Sequence, residues 1–226
     1  LTIIFSLFCW KAFPHFPEKV KQHRKLFLRK RYWLYYFITF MAGARRQIFV
    51  VFAGFLMVEK FEFSVSSITL MFLANAALNM YIAPKIGKLI ALWGERRVLI
   101  FEYIGLIGIF TAYAYVNTAW VAVLLYLIDH IFFSMAIAIK TYFQKIADPA
   151  DMAAQAGVAF SINHIAAVVV PVFFGFLWLI SPSKVFLVGA GMSALSLALA
   201  SLIPKKPTQE NITMIDYYKK IFSTAN

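Results

Sequence analysis

Residues 32–58 read YWLYYFITFMAGARRQIFVVFAGFLMV, an apolar stretch of 27 residues with Arg45, Arg46 and Gln47 at its centre. The apolar runs on either side of the pair are each too short to cross a bilayer, which takes roughly 20 residues. A central Arg costs about 2.5–3.5 kcal/mol on an insertion scale, and each Leu, Ile, Phe or Val returns about 0.3–0.6. The stretch holds twelve such residues, so roughly 4–7 kcal/mol stands against roughly 5–7 for the two arginines. Alone in lipid the helix is marginal. It must place its guanidinium groups against protein or water, and a functional role is the default for a charge in that position.

The rest of the chain explains what shelters it. Of 226 residues, 62% are apolar and 14% charged, with a mean hydropathy of +0.75; soluble domains carry about 25% charged residues. Five further apolar runs follow, at 65–82, 98–116, 119–139, 157–180 and 185–203. They lack the charged outer face of a soluble bundle and the alternation of a barrel strand. The expected fold is all-α, a polytopic integral membrane bundle of six full transmembrane helices. Leu1–Trp10 is apolar but short, so it reads as the end of a truncated span (1–13), the chain being a fragment with an upstream portion missing.

Charge placement supports the six-span count. Eighteen of the 22 Lys and Arg fall before the first run, after the second, after the fourth or after the sixth; Lys60 and Lys184 fall on the other side. By the positive-inside rule both ends are expected in the cytoplasm of a cell (inner) membrane protein. Residues 14–31 read as a basic cytoplasmic linker, 32–203 as the six-helix block, and 204–226 as a cytoplasmic tail. In the tail, Ile212, Ile215, Tyr218 and Phe222 are spaced for a short amphipathic turn on the membrane surface; a frayed terminus is the plainer alternative. The net charge of +12 sits in blocks between spans rather than along a groove, so nucleic acid is not an expected partner; the lipid bilayer is. Cys9 is the sole cysteine, which excludes an internal disulfide and a cysteine zinc site. No cofactor or metal is expected.

Helical phase separates the two arginines. At about 100° per residue, Tyr36, Thr39, Gly43, Arg46, Gln47 and Gly54 share a stripe, while Arg45 points nearly the opposite way. Arg46 and Gln47 are assigned to a central cavity, as a substrate or gating pair or in a structural ion pair; Arg45 is assigned to a partner on another helix. Asp129 and His130 lie mid-way along their run. A buried carboxylate either neutralises a cation or exchanges protons, and His titrates near neutrality, so the pair reads as proton coupling or as an Asp129–Arg45 bridge. His164 shares a face with Ser161, Pro171 and Gly175 and is a cavity candidate or an interhelical hydrogen bond. Asn75 and Asn79, one turn apart, line the cavity or join two helices. Gly105, Gly108, Gly189 and Ser193 read as packing contacts. Glu102 is read as an acid near the cytoplasmic end of its helix, where the dipole tolerates it.

Residues 87–97 read GKLIALWGERR. This resembles the loop signature of the major facilitator superfamily: Gly-x-Leu, an acidic–basic pair, an aromatic, Gly, then basic residues. Gly87, Leu89, Trp93, Gly94, Arg96 and Arg97 match; Ala91 and Leu92 stand where the family has its charge pair. Ile146–Asp151 leading into Asn163, Pro171 and Gly175 is similar to the loop and eleventh helix of that family. The resemblance implies that 32–203 are helices seven to twelve and that an N-terminal six-helix half is the missing partner. It implies a secondary active transporter moving a small-molecule solute by alternating access, and not an enzyme. Arg46 favours an anionic solute. A transport-inactive sensor or scaffold is the alternative, given Ala91-Leu92. A membrane enzyme using Asp129, His130 and His164 is a weaker one, since no nucleophile elbow, HExxH or phosphate loop is present.

Overall fold

The computed structural model describes residues 5, 6, 8, 9, 12, 20–23, 25–216 and 218. Most of the expected truncated span at 1–13, residues 14–19 of the linker, and Phe222 of the tail lie outside the described residues. Six helices are long and apolar enough to cross a membrane: α1 (Lys30–Phe61), α2 (Val65–Trp93), α3 (Glu95–Tyr115), α4 (Ala119–Ile146), α5 (Pro149–Ile180) and α6 (Pro182–Ser201). No strand occurs among the described residues.

Most helices outrun their apolar cores. The run ending at Ile82 continues as helix through Pro84, Lys85 and Lys88 to Trp93, and the run beginning at Gly157 starts eight residues earlier, at Pro149. Hydropathy marks where lipid ends, whereas backbone hydrogen bonding carries the helix on into the polar region. Residues 87–93, expected in a loop, are therefore helical, and the break between α2 and α3 is the single residue Gly94. Its φ of +80° lies where glycine is at ease and other residues are strained. Elsewhere the ends carry ordinary signals: Ser64 Oγ accepts from Ser67 N–H at the start of α2, and Pro182 opens α6.

Two helices depart from regular geometry in their interiors. In α1 the turn after Gln47 is a π-helix, Ile48–Ala53, and in α4 the α-helix breaks at Met135–Ala136 between Ser134 and Ile137. π-turns are rare and gather at functional sites. Here the turn directly follows the Arg45–Gln47 triplet.

Lipid tails are as apolar as leucine, so helices associate in a membrane through close packing rather than through burial alone. The α3–α6 pair is the most extensive, followed by α1–α5. Gly43 allows the second: a Cβ there would stand 2.6 Å from Asn163 Oδ1 on α5. Gly105 and Gly189 abut Phe132 and Phe110, but a Cβ at Gly108 would meet open space, so Gly108 is not the packing contact expected. Between α1, α3 and α4 sits an aromatic core in which Phe49 stacks on Tyr126 at 5.5 Å and meets Tyr113 edge-on at 5.1 Å. Half of the most apolar window of α1 and of α3 is buried, against 17% for α5 and 6% for α2. Helices α2 and α5 thus flank the bundle with unpartnered faces.

At the basic end a clamp closes the bundle. Arg29 grips the fully buried Asp151 with two nitrogens, Nε at 2.7 Å and Nη2 at 2.8 Å. Tyr32 donates to the same carboxylate at 3.0 Å and accepts from Asp148 N–H, while Tyr36 donates to Gln155. The tail then folds back across the helix ends: Tyr142 donates to Ile212 O, Gln209 to Ala147 O, and Met214 N–H to Leu202 O. Ile212 is buried against protein rather than turned to the membrane surface; among the described residues of the expected amphipathic face, Ile215 and Tyr218 are exposed.

Candidate functional site

The two central arginines of α1 part company. Arg45 is fully buried; its Nη1 donates to Ser196 Oγ of α6, and its guanidinium lies 4.6 Å from the ring centre of Tyr103 on α3. Arg45 Nε and Nη2 meet no acceptor of ordinary geometry. One residue on, and about 100° around the helix, Arg46 is exposed and Gln47 partly so.

Beneath Arg45 lie two acids. Glu102 of α3 and Asp129 of α4 are both 0% exposed, and none of their four carboxylate oxygens has a hydrogen-bond partner. Arg45 attracts both, and the two acids repel each other. Yet no ion pair of 4 Å or less joins them; the nearest base to Asp129 is His130, with Nδ1 3.9 Å from Oδ2. The sequence expectation for Glu102 is thus corrected. Because α3 begins at Glu95, Glu102 lies seven residues in, about 10 Å along the axis at 1.5 Å per residue, and its side chain turns into the bundle. What signalled it was its face: Leu99, Leu106 and Ile109 at helical spacing are all buried with it.

The remaining candidates fall into three settings. His130 is part-exposed on the same open side as Arg46, whose charge it feels, and its Nδ1 lies 3.0 Å from Tyr126 O. A carbonyl oxygen only accepts, so Nδ1 carries a hydrogen. His164 is exposed on α5 and bonds its own Phe160 O at 2.9 Å; no contact joins it to Arg46. Asn163 beside it, named in the sequence only for the family resemblance, is also exposed and abuts Gly43. Asn79 accepts from Ser134 Oγ at 2.9 Å and so joins α2 to α4, while Asn75 is buried beside Tyr126. Asn75 is thus enclosed, whereas Asn79 is exposed.

Among the loop-signature residues, Gly94 makes the α2–α3 break and Arg96 reaches Met214 Sδ at 3.9 Å. Gly87, Trp93 and Arg97 are exposed and Leu89 partly buried. Glu95, within the signature, pairs with Lys145 at 2.6 Å, tying α3 to α4 where Ala91 and Leu92 offer no charge. No group of three or more potential metal ligands occurs among the described residues.

Six spanning helices, mid-membrane charges sheltered by protein and an open polar side define a polytopic membrane protein built around a guarded polar interior. The Major Facilitator Superfamily model matches residues 4–171, and the chain belongs to that family. It is a membrane transporter, in a family of transporters rather than enzymes. No curated protein matches the chain.

Proposed function

We propose that the protein is half of a secondary active transporter that moves a small anionic solute by alternating access, with its basic end in the cytoplasm. Arg46 carries the reading. It lies midway along α1, exposed on the side free of the other five helices, where a bare cation is too costly to face lipid. The unpartnered faces of α2 and α5 suit an N-terminal six-helix half, which would close a wet cavity over Arg46, Gln47 and His130. Asp129 and His130 supply the proton coupling. The π-turn at Ile48–Ala53 and Pro171 of α5 are places where the cavity wall can bend.

The test is uptake by the full-length protein in proteoliposomes under a pH gradient. Arg46→Ala should abolish uptake while thermal stability stays unchanged, and Arg46→Lys should retain part of it. Wild-type uptake by Arg46→Ala would overturn the assignment. The sensor or scaffold reading draws on one observation, the charge-free Ala91-Leu92, and predicts no uptake of any solute with the fold intact.

A further inference from the structure

Three ionisable side chains from three helices meet in the interior with their charges out of balance. Arg45 brings one positive charge; Glu102 and Asp129, when ionised, bring two negative ones, and all three are 0% exposed. Around them α3 adds Tyr103 and Tyr113, and α4 adds Tyr126 and His130. Helix α6 contributes the Ser196 hydroxyl, and its charged residue, Lys184, lies at the far end. Helix α2 contributes no charge between Val65 and Pro84, and between Asp151 and Ile180 α5 holds a single titratable group, His164. Arg46 lies on the open side. Within the enclosed interior nothing but a bound proton supplies the missing positive charge; the nearest other base, the part-exposed His130, would have to take up a proton itself.

We infer that Arg45, Glu102 and Asp129 form one binding site for a single exchangeable proton, shared by the two carboxyls, with Arg45 as the permanent countercharge. An uncompensated buried anion is far more costly than a neutral acid. Two carboxylates competing for one arginine therefore keep one proton between them, as like charges in a shared site do. A proton is favoured over a larger cation because the three groups are wholly enclosed. On release, the carboxyl O–H bond breaks with its electron pair left on oxygen, and water entering from the side of the part-exposed His130 takes the proton. The site deepens the coupling part of the proposed function and rests on that reading for its meaning in transport.

The charge count makes opposite predictions for the three residues. Buried Asp151 and Glu95 each have a cation within 3 Å, which Glu102 and Asp129 lack. A protonated-acid band in the infrared spectrum of the purified chain in nanodiscs at pH 7 is the expected signature of this cluster, assigned to it by its response to the variants. Glu102→Gln and Asp129→Asn should each abolish the band, since one acid then faces one arginine. Arg45→Gln should double it, since both acids must then be neutral. Retained helical circular dichroism in each variant separates these outcomes from unfolding, and the gain in Arg45→Gln cannot arise from a misfolded chain losing its site. A band lost in Asp129→Asn but kept in Glu102→Gln would place the proton on Asp129 alone and overturn the sharing. No wild-type band, or one removed by sodium at constant pH, would overturn the proton site. A normal band in a protein that moves no solute would instead leave the site standing and remove the transport reading.

Discussion

Two buried acid clusters in this protein are built on opposite principles. At the basic end, Asp151 meets a bidentate arginine and a tyrosine hydroxyl, and a backbone N–H bonds that same hydroxyl. Mid-membrane, Glu102 and Asp129 share one arginine at a distance and have no hydrogen bond at all. Both places exclude water, yet only the first is fully paired. A satisfied buried ion pair holds one geometry, because every alternative strands a charge. An unsatisfied one has states close in energy, differing by a proton or a small helix shift. The contrast separates the part of the molecule that pins helices together from the part able to change state.

The sharpest way to break that contrast is to remove one charged group from each cluster. Arg29→Ala should cost about 3–5 kcal/mol, the usual penalty for stranding a buried partner, and thermal unfolding in detergent should show a large fall in Tm. Glu102→Gln should do the reverse. Neutralising the surplus acid leaves Arg45 and Asp129 matched, so the melting temperature should hold or rise, by an amount on the order of 1 kcal/mol. Equal losses in the two variants would mean that Glu102 is as firmly paired as Asp151, and the distinction would fail.

Hydroxyl deletions sharpen the comparison. Ser196 Oγ is the acceptor of Arg45's one hydrogen bond, so Ser196→Ala should cost about 1.5–3 kcal/mol, the range for bonds to charged groups. Tyr32→Phe removes one of two hydrogen-bond donors to Asp151 and should cost about 1 kcal/mol, because Arg29 keeps the carboxylate paired. Chemical denaturation of the same pair of variants would rank them. A larger loss in Tyr32→Phe would mean that the clamp depends on its tyrosine rather than its arginine.

How far these clusters can be read from sequence differs for physical reasons. The opposite outlook of Arg45 and Arg46 follows from helical phase alone, a property local to one helix. The six spans follow from apolar runs matched to bilayer thickness, and their polar extensions do not, since Lys85 and Lys88 continue a helix for which hydropathy has no signal. Glu102 is hidden by a boundary. Taking Val98 as the first residue puts it near the membrane surface, whereas the helix already starts at Glu95. The Arg29–Asp151 pair joins residues 122 apart in the chain, and no periodicity links them. Local rules reach the faces of helices, and pairings between distant segments need the packed bundle.

The smallest expected effect tests whether position along a helix can replace a partner. Glu95 is 2% exposed yet opens α3, where the free N–H groups and the helix dipole favour a carboxylate, and its partner Lys145 is half exposed. Lys145→Ala should therefore cost only about 0.5–1 kcal/mol, an exposed-pair value, and added salt should shrink the difference from wild type. The dipole at Glu95 has no counterpart at Glu102 or Asp129, which lie in helix interiors where neighbouring N–H groups are already bonded to carbonyls. If Lys145→Ala instead matched Arg29→Ala, the helix terminus would be contributing nothing, and a buried acid at either end of this bundle would depend wholly on its cation.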